Sequence, residues 1–234
     1  THHPNSQLAE LLKLATVTLS AASGDNHTEK EKKVSPVALL VEFVKTRHTL
    51  FHDSQQRPYA QHQTTQETKR LDGSQFTQWL AAAYYREHKR TVRDQTVKEA
   101  IATLTGLAKF EGQQYEVFIR AAKHEGVYYL DLGESGNGRA IAIRPDDWQV
   151  IESPPVRFLR PESLQPLPTP KENGNLAQIW PLVNIPDESQ LLVITWLIDA
   201  LRMDTPFSLL EFIGEQGSAK STTQELLRQI IDPT

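Results

Sequence analysis

Apolar residues recur at helical spacing, three or four positions apart, along most of the chain. This pattern predicts helices near residues 6–19, 36–44, 74–88, 94–108, 187–202 and 220–231, with a shorter helix near 176–182. Ser35 followed by Pro36 is a helix start signal, because serine caps a helix and proline suits its first position. Ser74 and Asp187 are further cap candidates.

Short apolar or alternating runs between these segments predict strands. Two or three are expected between residues 49 and 71, and others at 116–121, 127–132, 140–143, 148–151 and 208–213. Strands, then a helix pair, then more strands are typical of an α+β fold. The chain ends differently, with a strand, a glycine-rich turn and a helix in direct succession.

The glycine-rich turn reads Gly214-Glu-Gln-Gly-Ser-Ala-Lys-Ser221. A phosphate-binding loop needs this order of strand, glycine turn, lysine, hydroxyl and helix, because backbone N–H groups and the positive helix end then point at phosphates. The lysine reaches the terminal phosphates and the hydroxyl binds magnesium. The sequence therefore predicts ATP and Mg²⁺ as cofactors, with Ser221 as the magnesium ligand through the nucleotide. The predicted nucleotide-binding residues are Gly214, Glu215, Gln216, Gly217, Ser218, Ala219, Lys220, Ser221 and Thr222.

One position departs from the usual pattern, Gly-x-x-x-x-Gly-Lys-Ser/Thr. Ala219 stands where the last glycine is expected. Alanine adds only a methyl group, so close phosphate approach can survive, but a positive φ becomes more costly. Gly217 can supply part of the lost freedom. The alternative is a chance match at an ordinary strand-to-helix turn.

These signals divide the chain into four parts. Residues 1–33 are predicted to hold an N-terminal helix and a polar linker, and residues 34–160 an α+β accessory domain. A proline-rich linker follows at 161–175. Residues 176–234 are expected to be the N-terminal part of an α/β P-loop NTPase domain, truncated after the helix that follows the loop. The predicted fold class is thus an α+β accessory domain followed by the start of an α/β P-loop NTPase domain.

The composition restricts the partners, the site chemistry and the cellular compartment expected for this chain. The net charge is −4, from 25 basic and 29 acidic residues, which gives no strong overall attraction to nucleic acid. The absence of cysteine excludes disulfides, thiolate zinc sites and cysteine nucleophiles. No apolar run approaches the roughly 20 residues of a membrane span, and no secretory signal is visible. We therefore expect a cytoplasmic protein without a membrane partner.

Three phrases carry a resemblance to a known group: Tyr128-Tyr-Leu-Asp-Leu-Gly133, Trp148-Gln-Val-Ile-Glu-Ser-Pro-Pro-Val-Arg-Phe158 and Gly214-Glu-Gln-Gly-Ser-Ala-Lys-Ser-Thr222. The stretch from about Tyr128 to Pro233, a little under half the chain, resembles bacterial ATP-binding proteins often found with mobile-element primase–helicase genes. The resemblance implies a replication ATPase of the primase–helicase kind. It covers only the first of the ATPase motifs.

Three functions remain open at this stage. The first is the N-terminal part of an ATP-dependent DNA-replication protein, helicase or primase–helicase-like, with DNA, replication proteins or further copies of itself as partners. The second is a P-loop regulatory or defence ATPase, and the third a protein-interaction module on a degenerate nucleotide site. Hydrolysis normally needs a second acidic strand and often an arginine finger. No catalytic residue is assigned, and the 234-residue chain alone is expected to be inactive.

Two weaker signals lie in the accessory domain. The basic turn between the helices near 74–88 and 94–108 offers Lys89, Arg90, Arg93 and Lys98 as DNA contacts, either in a winged-helix module or simply as a solvated loop. His48 and His52 are spaced four apart, but no acidic residue completes a His-Glu-x-x-His motif. A metal site is therefore not expected there.

Overall fold

A computed structural model describes residues 35–233 of the 234-residue chain. The predicted helix at 6–19 and the polar segment at 20–33 lie outside the described residues. Helices and several β-sheets occur along the described part, so the fold is mixed α/β as predicted. Within this range no helix is long and apolar enough to cross a lipid bilayer.

The first sheet is covered by a group of three helices. In chain order these elements are α1 (Pro36–Lys45), β1 (His48–His52), β2 (Pro58–His62), β3 (Thr68–Arg70), α2 (Ser74–His88), α3 (Asp94–Phe110) and β4 (Gln113–Gln114). The strand order is β3-β2-β1-β4, with β1 antiparallel to β2 and parallel to β4. The helices and short strands predicted here are confirmed, apart from β4, which is too short to leave a periodic pattern.

Local signals explain where these helices begin and pack. The Ser35 hydroxyl accepts a hydrogen bond from the Val37 N–H at 3.3 Å, as a cap should. Ser74 does not cap α2: it is the first helical residue, and Gly73 takes the cap position without a side-chain bond. The apolar stripes of α1, α2 and α3 meet in a core that includes the fully buried Leu40, Leu80 and Leu104.

A buried histidine contacts this core. The His48 side chain is 6% exposed. Its Nδ1 donates to the Val44 carbonyl oxygen at 3.2 Å, and its ring meets the rings of His62 and Trp79 edge-on. Burial, and after it the nearby His62, lower the pKa of His48 from 6.5 to about 4. The folded protein therefore holds this ring in the neutral form.

Acid is expected to destabilise the protein partly through His48. The unfolded chain takes up this proton near pH 6.5 and the folded chain only near pH 4, so the unfolded state binds more protons between those values. Stability falls as the pH drops through that window, by about 3 kcal/mol for a shift of this size, and is unaffected above it. His48→Asn keeps an N–H donor but does not titrate. Urea unfolding across the window should show a smaller loss for the variant, and parallel curves would contradict the assignment.

The second sheet is an antiparallel meander. It contains β6 (Ala121–His124), β7 (Val127–Asp131), β8 (Ala140–Ile143) and β9 (Trp148–Ile151) in that order. A separate parallel pair joins β5 (Val117–Phe118) to β10 (Arg157–Phe158). The strand predicted at 116–121 is thus wrong as one element. Residues 117–118 pair in one sheet, and the meander begins only at Ala121.

Two arginines, the buried Arg120 and the partly buried Arg160, connect the end of β7 to the loops around it. The Arg160 guanidinium pairs with the Asp131 carboxylate through two contacts of 2.6 and 2.8 Å, and Asp131 is fully buried. Arg120 donates to the carbonyl oxygens of Asp131 and Gln165 and to the carboxylate of Asp232. Arg120, directly before β6, therefore links the meander to residues 165 and 232, whereas Arg160 links the end of β7 to the segment that follows β10.

The C-terminal part packs around a small apolar core. It contains a 3₁₀ helix (Leu176–Leu182), α4 (Asp187–Ala200) and α5 (Lys220–Ile231). Asp187 is the first residue of α4 rather than its cap, which is Pro186. The core centres on Val193, Leu197 and Leu227. The proline-rich segment 161–175 packs against the meander, where Leu167 is 8% exposed and its N–H donates to the Leu132 carbonyl oxygen at 2.8 Å.

Candidate phosphate-binding loop

The glycine-rich loop enters helix α5 at the predicted position. The helix begins at Lys220 and ends at Ile231, before Asp232 and Pro233. Gly217 has φ +86° and Ala219 has φ +57°. The backbone therefore takes left-handed conformations at the two positions where the sequence raised the question of conformational freedom. At Ala219 that conformation places a side chain where glycine is normally preferred.

The Lys220 side chain folds back over the loop. Its Nζ donates to the carbonyl oxygens of Gly214 at 2.8 Å and Glu215 at 2.6 Å, and to the Ser218 hydroxyl at 3.1 Å. The Ser218 hydroxyl in turn donates to the Glu215 carbonyl oxygen at 2.8 Å. The ammonium group thus lies against the loop backbone, and all of its donors are held by loop acceptors.

The first turn of α5 presents unused donors beside this lysine. No side chain caps the helix, so backbone N–H groups of its first turn remain available to another acceptor. Ser221 and Thr222 are exposed, whereas Thr223 is buried. An uncapped helix start, an adjacent ammonium group and an exposed hydroxyl form a donor set that fits a phosphate group with its magnesium ion.

Asn184, which lies outside the loop, is hydrogen-bonded to the loop and to the first turn of α5. The Asn184 side-chain amide donates to the Ser218 carbonyl oxygen at 3.1 Å, and the Asn184 backbone N–H donates to the Thr223 hydroxyl at 3.2 Å. Sequence reasoning missed Asn184, because nothing in a lone asparagine before a helix indicates a distant loop. These residues and the start of α4 line a cavity of about 310 Å³ that includes Lys220.

The strand predicted at 208–213 is wrong for the described residues. No strand hydrogen bonds are formed there. Burial nevertheless alternates, because Leu210 and Phe212 pack on the core beneath the loop while Leu209 and Ile213 are each 89% exposed. This period of two is that of a strand. A strand, however, needs a neighbour for its backbone groups, and none lies beside this segment between residues 35 and 233.

The turn before this segment is hydrogen-bonded to α4. The Asp199 carboxylate accepts hydrogen bonds from Thr205 at 2.9 Å and Ser208 at 2.8 Å. The Trp196 Nε1 donates to the Ser208 carbonyl oxygen at 2.9 Å. The hydroxyl of Ser208, and after it that of Thr205, lower the pKa of the Asp199 carboxyl group by donating to its charged form. The position of segment 208–213 is therefore set by α4.

Replacing Ala219 by glycine is expected to stabilise the fold. Relief of a left-handed alanine is worth about 1–2 kcal/mol, and the added freedom of the unfolded chain offsets about 0.4–1 kcal/mol of it. A net gain of about 0.5–1 kcal/mol should appear in urea unfolding. The matched control is Ala102→Gly on the exposed face of α3, where the same change should destabilise by about 0.5–1 kcal/mol. A loss at both positions would show that Ala219 is not strained.

The predicted DNA-contact residues differ in whether an acidic side chain pairs with them. Lys89 directly follows the last residue of α2 and has φ +53°, and Lys89, Arg90 and Arg93 are exposed. None of these three forms an ion pair with an acidic residue of the described range, whereas Lys98 pairs with the carboxylate one turn earlier at 2.6 Å. Arg86, in the last turn of α2, is also exposed and was missed. The free basic surface is thus the turn itself and not the start of α3.

The two histidines spaced four apart are the first and last residues of β1. His48 and His52 are both buried, and their Nδ1 atoms contact backbone carbonyl oxygens. Among residues 35–233 no group of three or more His, Cys, Asp or Glu side chains is arranged to hold a metal ion. His48 and His52 therefore read as parts of the packed first sheet.

Comparison of the sequence with protein-family models and with curated proteins finds no match.

Proposed function

We propose that this chain binds ATP with Mg²⁺ through residues 214–222, as the N-terminal part of an ATP-dependent DNA-replication protein of the helicase or primase–helicase kind. The observation that supports the nucleotide site is the position of the Lys220 ammonium group. It lies on the loop carbonyls of Gly214 and Glu215, at the start of an uncapped helix. The replication role rests on the sequence resemblance. A P-loop regulator and a protein-interaction module remain the alternatives.

Each loop residue has a distinct role in this proposal. The phosphates accept hydrogen bonds from the N–H groups of the first turn of α5, where the helix dipole also favours negative charge. Lys220 exchanges its bonds to the loop carbonyls for bonds to the terminal phosphate oxygens. The exposed Ser221 hydroxyl holds the magnesium ion, which neutralises phosphate charge when bound.

No residue between 35 and 233 is assigned a catalytic role.

Calorimetric titration of the 234-residue chain with ATP tests the nucleotide site. With magnesium present, we expect saturable binding at one site, weakened by EDTA. Adenosine serves as the control, because it lacks the phosphates that the loop is proposed to hold. No heat with ATP, or equal affinity for ATP and adenosine, would refute the proposal.

DNA binding is the second part of the proposal, and the exposed basic turn supports it. If Arg90 and Arg93 contact phosphates, Arg90→Ala/Arg93→Ala should weaken binding by similar factors for unrelated sequences. The slope of log affinity against log salt should fall by about two units, one for each lost contact. Fluorescence anisotropy at two salt concentrations measures both quantities. The control is Lys98→Ala, which removes a cation already paired within its own helix.

Two results would contradict the assignment of the turn. Equal binding by the double variant and the parent would place the contact surface elsewhere. No binding by the parent even at low salt would favour the regulatory or protein-interaction alternatives.

A further inference from the structure

One peptide group of the loop has its orientation held from outside. The Ser218 carbonyl oxygen accepts a hydrogen bond from the Asn184 side chain at 3.1 Å. In a trans peptide the carbonyl oxygen and the following N–H point in opposite directions. The contact with Asn184 therefore turns the Ala219 N–H away from Asn184.

Rotation of the same peptide group would relieve the backbone strain at Ala219. Its rotation by half a turn changes φ of the following residue by about 180°, which would take Ala219 from +57° to the negative φ values that alanine prefers. The left-handed conformation costs alanine free energy, while the hydrogen bond from Asn184 stabilises the observed orientation. The strain at Ala219 and the bond from Asn184 are thus opposed.

We propose that Asn184 is a positioning residue that keeps the Ser218–Ala219 peptide in the orientation required for phosphate binding. The inference rests on the proposed nucleotide site. With Asn184 present, the Ala219 N–H points to the side of the loop opposite Asn184, where it serves as a phosphate donor. Without Asn184, the alanine strain turns the peptide over and places a carbonyl oxygen where the donor was.

The proposal predicts that residues 184 and 219 depend on one another. Only the fraction of molecules with the correct peptide orientation binds phosphate, so apparent affinity follows that fraction. From the opposed energies, Asn184→Ala should weaken ATP binding about three- to sevenfold when residue 219 is alanine. When residue 219 is glycine, both orientations are unstrained, and the same change should weaken binding less than about twofold.

A double-mutant cycle tests this dependence. The wild type, Asn184→Ala, Ala219→Gly and the double variant are titrated by calorimetry with ATP and, separately, with inorganic tripolyphosphate. Both ligands should show the same loss on Asn184→Ala and the same relief by Ala219→Gly. The matched control is Asn175→Ala, which removes an exposed asparagine that caps the 3₁₀ helix and should leave both affinities unchanged.

Each other outcome overturns a different statement. An equal loss in the two backgrounds would show that Asn184 does not act through the orientation of Ala219. A loss for ATP but not for tripolyphosphate would mean that Asn184 contacts the nucleoside, which also refutes the positioning role. Binding of neither ligand by the wild type would refute the proposed nucleotide site and this inference with it. Asn184 is exposed, so the variant is expected to fold, which thermal unfolding checks.

Discussion

Arg160→Met is expected to destabilise the protein by about 3–5 kcal/mol, the cost of breaking a buried ion pair from one side. The guanidinium makes two contacts of 2.6 and 2.8 Å to the carboxylate of Asp131, which has no exposed surface. It also donates to the carbonyl oxygens of Glu134 and Asn137 at 2.5 and 2.7 Å. Methionine has a similar length but leaves a buried charge and these carbonyl groups without their donor.

The control for this prediction is an ion pair of the same geometry at the surface. Arg70 also binds a carboxylate through two contacts, to Asp72 at 2.8 and 2.9 Å, but both side chains are 42% exposed. Arg70→Met should therefore cost no more than about 1 kcal/mol, the upper value for exposed pairs. Urea unfolding compares the two variants. Similar losses would show that burial of Asp131 does not determine the cost.

Lys220→Ala is expected to lower ATP affinity by about 10- to 150-fold, because it removes charged hydrogen bonds worth about 1.5–3 kcal/mol. Lys220 is the cation that lies on the loop itself, with its Nζ at 2.6 Å from the Glu215 carbonyl oxygen. In the proposed complex this group moves onto the terminal phosphates. The fold should survive, because the bonds that the lysine makes to the carbonyls of Gly214 and Glu215 are exposed to solvent.

Calorimetry with ATP and magnesium measures the loss, and unfolding of the same samples checks the fold. Lys171→Ala is the matched control, since it removes an exposed lysine of the proline-rich segment and should not change the affinity. Equal affinity for Lys220→Ala and the parent would remove the phosphate-binding assignment. A large loss of stability in Lys220→Ala would mean that the lysine supports the fold instead.

Local sequence patterns determined most of the secondary structure. Helices α1 to α5 lie where apolar spacing predicted them, because a helix satisfies its backbone hydrogen bonds within one segment. The strands β8 and β9 were also predicted at their observed positions. The order of glycine turn, lysine, hydroxyl and helix could also be recognised from the sequence, because all of these groups are close together in the chain.

Only the tertiary structure decided the features that depend on distant partners. Segment 208–213 has the alternation of a strand, but a strand exists only through a neighbour, and sequence periodicity does not supply one. The strand predicted at 116–121 is divided because residues 117–118 pair with β10, far along the chain. Asn184 lies more than thirty positions before Ser218 and meets it only in the folded chain.

At Ala219, both the local sequence and the long-range contacts contribute to the structure of the loop. The sequence alone raised the question of Ala219, because an alanine stands where glycine is usual and left-handed backbone costs alanine energy. Whether that conformation occurs depends on the surrounding chain, and the structure places Ala219 at φ +57° with the preceding carbonyl held by Asn184. The local sequence thus determined which chemical groups the loop contains, and long-range contacts decided which way those groups point.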